Sequence, residues 1–374
     1  MITRLRILGS VFLVFLSVLP AGAAIGPSSV MEEDQTFKAV PLPDLVNPTG
    51  IHIAGGRIFI TEESSIAVYS AENFKLLKKF GRQGEGPGEF KHPPFVIPQS
   101  DCLLILNLDR VFLYSWEGEL LEERKIPLNY NYWAFPLLPV GNNWIGFPME
   151  PIEGGGFGHI GRLYNDNFQS ITKVYDAVPS LFPPPPPPRR PGETSRSFPK
   201  QDLEAIPDCI DVFVAEDKFL VTDTRKGFFI SAFDAQGNKL YEINRDFKKT
   251  RVSKDYRDAY MEELHEHPNW EGLNNRYNHV FKDHFPAFFS VKVAGKKIYC
   301  LTYEKKNDRY EMVVLDLEGK LLGRFFSFPL EPFQRLNDTF IQFSNEFDIH
   351  SDTIYHLEYN FDLESVELHV TAIK

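Results

Sequence analysis

Arg57-Ile58-Phe59-Ile60-Thr61, then Glu62-Glu63-Ser64-Ser65, Ile66-Ala67-Val68-Tyr69, Glu72-Asn73 and Phe74-Lys75-Leu76-Leu77, read in succession as strand, polar turn, strand, tight turn, strand. The unit returns at Leu103-Leu104-Ile105-Leu106 with Val111-Phe112-Leu113-Tyr114. A degenerate copy follows at Trp144-Ile145-Gly146-Phe147. Further copies stand at Phe219-Leu220-Val221-Thr222 with Phe228-Phe229-Ile230-Ser231, and at Ile298-Tyr299-Cys300-Leu301. The tight turns fall at Asn73, Gly118, Asn167, Gly237 and Gly319, where Gly or Asn supplies the expected positive φ. The intervals from Asn73 to Gly118 and from Gly118 to Asn167 match one four-stranded propeller blade, about 40–50 residues. Those from Asn167 to Gly237 and from Gly237 to Gly319 are longer and fit a blade plus an insertion.

Both insertions are visible. Residues 175–210 contain Pro183 to Pro188 followed by Arg189-Arg190-Pro191-Gly192, a polyproline segment. Residues 253–280 open on Ser253, which can cap a helix with Tyr256, Tyr260, Met261 and Leu264 on one face, ended by Pro268. A sixth copy, Ile354-Tyr355-His356-Leu357, repeats the pattern of Ile298-Tyr299-Cys300-Leu301 and is followed by one strand, Val366 to Ile373. That blade is one strand short, whereas Thr36 to Leu42 is a strand without a blade. The reading is all-β: a six-bladed β-propeller closed by the N-terminal strand, with a short helical insertion between blades four and five. A seventh blade would have to lie in 175–210, where the prolines cannot donate to a ladder.

Composition narrows the setting. The chain has 374 residues, 43% hydrophobic and 24% charged, a globular balance. Arg4 and Arg6, the apolar run Ile7 to Leu19 and Ala21-Gly22-Ala23 read as a secretory signal over residues 1–23, leaving 24–374 as one propeller domain. Localisation is then periplasmic or secreted, with no membrane span after signal removal. Losing those two arginines and no acid takes the formal charge from −11 to −13. With no basic stripe, nucleic acid is excluded as a partner. Cys102, Cys209 and Cys300 have neither disulfide-framework nor zinc spacing and read as free thiols.

Phe80-Gly81-Arg82-Gln83-Gly84-Glu85-Gly86-Pro87-Gly88-Glu89-Phe90 joins blades one and two. Its glycines permit sharp turns, and Phe90 can wedge between sheets. It lacks the Lys-Ser/Thr of a phosphate loop. Followed by an apolar strand and Asn107-Leu108-Asp109-Arg110-Val111, it resembles the inter-blade signature of NHL-like repeats, and of the exported bacterial six-bladed β-propeller family. That resemblance implies a six-bladed ring and no particular reaction.

In the resembled fold, blade-to-blade connectors and the loops between second and third strands emerge on one face. Candidate ligand-binding residues there are Glu62, Asn107, Asp223, Arg225 and Tyr303. Trp270 and Tyr277 of the helical insertion join them, because such rings are favoured at recognition surfaces. The competing expectation is that Glu62, Asn107 and Asp223 accept hydrogen bonds from nearby amides, and that the rings dock the insertion. We read the chain as a binding or interaction module and a monomer, with a protein, peptide or glycan partner and no required cofactor. The alternative is a calcium-dependent lactonase-like hydrolase, which such propellers resemble, with Glu62, Asn107 and Asp223 holding the ion. No base–nucleophile pair is identifiable. His265 and His267 share no helix face, while His279 and His284 flank an aromatic stretch that can line a pocket.

Overall fold

The computed structural model describes residues 37–107, 109–126, 137–151, 157–179, 200–266, 270–307, 309–327, 347–360 and 364–373. The signal segment, the proline run, Pro268, His267 and Asp308 lie outside them.

Six antiparallel sheets follow one another. Blade one is Pro48–Ala54, Arg57–Glu62, Ile66–Ser70 and Leu76–Phe80. Blade two is Phe95–Pro98, Cys102–Asn107, Arg110–Ser115 and Leu120–Lys125. Blade four is Ile210–Ala215, Lys218–Asp223, Phe228–Asp234 and Lys239–Arg245. Blade five is Ser290–Ala294, Lys297–Lys306, Arg309–Asp316 and Leu321–Phe326. Blade three is irregular. Leu138–Val140 pairs with Asn143–Gly146, after which the strand breaks at Phe147-Pro148 and resumes as Met149–Pro151. Both pieces pair with Phe157–Tyr164, and Ser170–Pro179 lies outermost. Pro148 has no N–H for the ladder, which accounts for the break.

Blade six closes the ring as the unpaired N-terminal strand requires. Phe347–His350, Thr353–Asn360 and Ser365–Ala372 are completed by Phe37–Pro41 in antiparallel register, Phe37 opposite Thr371 and Pro41 opposite Glu367. The Leu42 N–H donates to the Val366 carbonyl at 2.8 Å.

Each seam between adjacent blades has its own apolar cluster. Ile58 and Ile60 pack with Leu357 and Leu368 of blade six, whereas Phe59 faces Phe112 and Tyr114 of blade two. Because both faces are buried, the second strands are continuous apolar runs instead of alternating ones. Phe90 is fully buried in the first seam, its ring 5.6 Å from Phe112. All three cysteines are free thiols; Cys209 and Cys300 lie in the seam between blades four and five.

The outer turns differ from expectation at two positions. In blades two, four and five the positive φ falls on Gly118, Gly237 and Gly319, as anticipated. In blades one and three it falls on Phe74 (φ 60°) and Phe168 (φ 58°), one residue after the asparagines. In blade one Asn73 itself braces the turn by its side chain, and in blade three Asn165, two residues before Asn167, does so. Asn73 Oδ1 accepts from the Lys75 N–H at 3.1 Å, and Asn165 Oδ1 from those of Asn167 and Gln169. The ring of Phe168 is held by Trp144, 5.3 Å away, which offsets the cost of the left-handed conformation.

Candidate binding face

The two insertions meet. Gln201–Glu204 from the first lies parallel to Tyr277–Val280 from the second, with Gln201 opposite Tyr277 and Glu204 opposite Val280. Helices α1 (Lys254–Glu266) and α2 (Trp270–Arg276) precede the second strand. Ser253 Oγ accepts from the Tyr256 N–H at 3.1 Å, the expected cap, and Leu264 is the buried residue of the apolar face. Ion pairs tie the two insertions to each other: Lys282 Nζ, just after the second, lies 2.8 Å from Glu204 and 2.7 Å from Asp208 of the first. Thr224 Oγ1 donates to Asp208 at 3.0 Å. Beneath them Ile206, Val252 and Phe285 form a small separate core.

Between this satellite and the seam of blades four and five lies an open cavity of about 610 Å³. Asp208, Lys282, His284 and Phe285 wall one side; Thr224 to Phe228 and Asn244 to Phe247, with Lys249, wall the other. It adjoins a second cavity of about 280 Å³ whose lining includes Tyr303, Glu304, Glu311 and Arg324, the two sharing Phe228, Arg245, Asp246, Phe247 and Pro286. The larger cavity presents Arg225, Lys226, Arg245, Lys249 and Lys282 against Asp208 and Asp246, a cationic excess on a chain that is acidic overall.

The structure brings Asp223, Arg225 and Tyr303 to this seam. Asp223 is fully buried at the end of a blade-four strand. It grips Arg225 through Nε–Oδ1 and Nη2–Oδ2 contacts of 2.8 Å each, and accepts from Tyr175 Oη of blade three at 2.9 Å. Burial pushes its carboxyl up, but the hydrogen bonds from Arg225 and Tyr175 prevail and hold it below the usual range. Arg225 sits in a short turn capped by Asp223, so its direction is preset. Tyr303, expected in a loop, lies instead within the long strand Lys297–Lys306, past an irregularity after Leu301, and its ring stacks on Phe285 at 4.2 Å. Tyr277 opens the satellite strand, and half-buried Trp270 packs edge-on against His265 at 4.2 Å. His284 lines the cavity, while His279 Nδ1 lies 3.3 Å from Tyr260 Oη.

Glu62 and Asn107 occupy the strand end equivalent to that of Asp223, in blades one and two. Glu62 accepts from the Val46 N–H at 2.9 Å and Ser65 Oγ at 3.1 Å, and pairs with Lys79. Asn107 accepts from the Lys91 N–H at 3.0 Å and donates to the His92 carbonyl. Each fastens the chain entering its own blade, as the competing expectation held. Among the described residues neither Glu62 nor Asp223 joins a group of three close His, Cys, Asp or Glu donors.

One feature of the innermost strands escaped sequence reasoning. His52, Asp211, Lys292 and Asp348 stand in blades one, four, five and six, each between two apolar residues: Ile51 and Ile53, Ile210 and Val212, Val291 and Val293, Phe347 and Ile349. Innermost strands bury alternate residues in the seams, so the single polar residue between them faces the axis. Burial there pushes Asp211 up to about 7 and His52 down to about 3. Lys292 is likewise lowered by burial, against the pull of Asp348 and Asp211. Asp348 Oδ2 accepts from the Ile53 N–H at 2.8 Å, tying blade six to blade one.

Fold and cavity together define a six-bladed β-propeller bearing a satellite on its connector face. No protein-family model matches the chain, and no curated protein matches its sequence. Hsv2 of Kluyveromyces lactis is a solved structure that aligns with TM-score 0.37 at 10% identity, over 87% of this chain and 97% of that one. KlHsv2 with loop 6CD replaced by a Gly-Ser linker aligns over the same shares with TM-score 0.35 and 10% identity. Likeness at this level carries no argument; the fold rests on the strand pairing above. Among the described residues no helix is long and apolar enough to cross a membrane.

Proposed function

We propose that this protein is an exported binding module of the NHL-like propeller kind, whose ligand occupies the cavity between blades four and five. The observation that carries the reading is the 610 Å³ cavity lined on one side by blade four and on the other by Asp208, Lys282, His284, Phe285 and Pro286, which flank the joined insertions in the chain. A concave site that gathers directed polar groups beside aromatic side chains is a natural place for a ligand on a propeller. Phe228, Phe247, Phe285 and Pro286 contribute apolar groups, and Arg245 and Lys249 supply charge that Asp223 does not already hold. That combination suits an acidic peptide segment of a protein partner, whose carboxylates pair with Arg245 and Lys249 while its apolar side chains meet the rings.

The test titrates a Glu-rich decapeptide containing two Leu residues, and separately an oligogalacturonate, into the mature protein at low salt. The peptide is expected to bind, and Lys249→Glu, at an exposed position, to weaken it at least tenfold while the melting temperature holds. Failure of the peptide to bind, or unchanged affinity in the variant, overturns the reading. Preferential oligogalacturonate binding would replace the peptide with a glycan. Calcium-dependent hydrolysis across a lactone panel would replace binding with catalysis.

A further inference from the structure

Blade six carries a second constellation, remote in sequence from the cavity. Its two central strands read His356-Leu357-Glu358 and Glu367-Leu368-His369, mirror images of one another. Antiparallel pairing sets His356 opposite His369 and Glu358 opposite Glu367, so all four side chains emerge on one face. The intervening Leu357 and Leu368 go to the opposite face, into the seam with blade one.

Donor atoms of His356, Glu358 and His369 lie within 4.8 Å of one another, and this is the one such group among the described residues. His356 is buried and Glu358 exposed. His369 Nδ1 stands 3.6 Å from Glu358 Oε2, while its Nε2 lies 3.3 Å from Glu367 Oε2. Glu367 can therefore accept the Nε2 proton and leave the Nδ1 lone pair directed at Glu358. A carboxylate that fixes the tautomer of a histidine in this way is the usual support of a metal ligand.

We propose that His356, Glu358 and His369 bind one divalent transition-metal ion, with Zn²⁺ the best match, and that Glu367 positions His369. Two imidazoles and one carboxylate suit zinc, leaving a fourth position for water. Zinc bonds of about 2.0–2.2 Å place neighbouring tetrahedral ligands about 3.3 Å apart. The present donor spacings, 3.6 Å between His369 Nδ1 and Glu358 Oε2 and within 4.8 Å for the whole set, lie near that value.

Isothermal titration of the full chain with Zn²⁺ alone tests the site, with a raised melting temperature reversed by chelator and the visible spectrum of the Co²⁺ form as independent readouts. One ion per chain is expected. Glu358→Gln, at an exposed position that leaves the fold intact, should lose affinity at least tenfold and alter the Co²⁺ spectrum. His369→Gln should abolish binding, and Glu367→Gln should weaken it about 10–100-fold with the stoichiometry kept. Absence of Zn²⁺ binding by the intact protein, or Glu358→Gln binding as tightly as the parent, would overturn the assignment.

Discussion

Removing every residue up to 44 deletes the outer strand of blade six and tests the closure directly. Leu42 is 1% exposed and sits in the seam between blades six and one. Truncating such a leucine to alanine costs about 2–5 kcal/mol. The five-pair register with Ser365–Ala372 adds about five hydrogen bonds, each worth about 0.5–1.5 kcal/mol net. The deletion should therefore cost about 5–12 kcal/mol, comparable with the whole stability of an ordinary domain, about 5–15 kcal/mol. It also bares the edge of Ser365–Ala372, which a second copy can pair with. Urea denaturation followed by tryptophan fluorescence, with size-exclusion chromatography, reads both effects. Leu42→Ala should lower stability by the leucine share alone. Val46→Ala, at a site 71% exposed, should stay within about 0.5 kcal/mol of the parent. A truncated chain that remains monomeric with the parental midpoint would refute closure by this strand.

Three further outcomes follow from the same geometry. Asp211 is raised to about 7 in the folded protein, so its contribution to stability is complete below the ordinary carboxylate range and is lost as pH rises through 7. Asp211→Asn should accordingly gain on the parent more at pH 8 than at pH 5 in urea melts, and an equal difference at both would contradict this. Gly319→Ala places a methyl 2.7 Å from Ile243 at φ +88°, so thermal or urea melts should show a loss of about 2–5 kcal/mol from strain and overpacking; a loss below about 1 kcal/mol would show the turn relaxing. Trp270→Ala removes a half-buried ring packed on His265, so a loss of about 1–2 kcal/mol is expected, with proteolysis at the satellite accelerated and the blades unaffected.

The ring is legible in the sequence because its signals are local and repeated. Strand–turn–strand units at blade spacing, a final blade one strand short, and the wedge residue Phe90 each follow from short-range patterning. The left-handed Phe74 and Phe168 are not legible, because an asparagine can serve a turn through its side chain as readily as through its own φ, and the string of letters does not distinguish the two. Arg225 stands out by its position just after a second strand, whereas Tyr303 proves to lie inside one, and the cavity itself does not stand out. It depends on Gln201–Glu204 meeting Tyr277–Val280, a pairing between segments far apart in the chain, with no local signature. The axial residues His52, Asp211, Lys292 and Asp348 do carry a signal. Each is the single ionisable residue between two apolar neighbours in a first strand, a pattern that becomes visible once the innermost strands are identified.

The closing strand also imposes an order on how the molecule can be made. Phe37 precedes its partner Thr371 by the whole length of the ring. Blades one to five can therefore assemble in turn, but the closing strand has to wait, unpaired, until the other strands of blade six are available. Native contacts of such wide sequence separation form late and slowly. Closing the ring is then the capture of an early strand by much later ones, and a chain interrupted before residue 365 would be a row of blades that never becomes a circle.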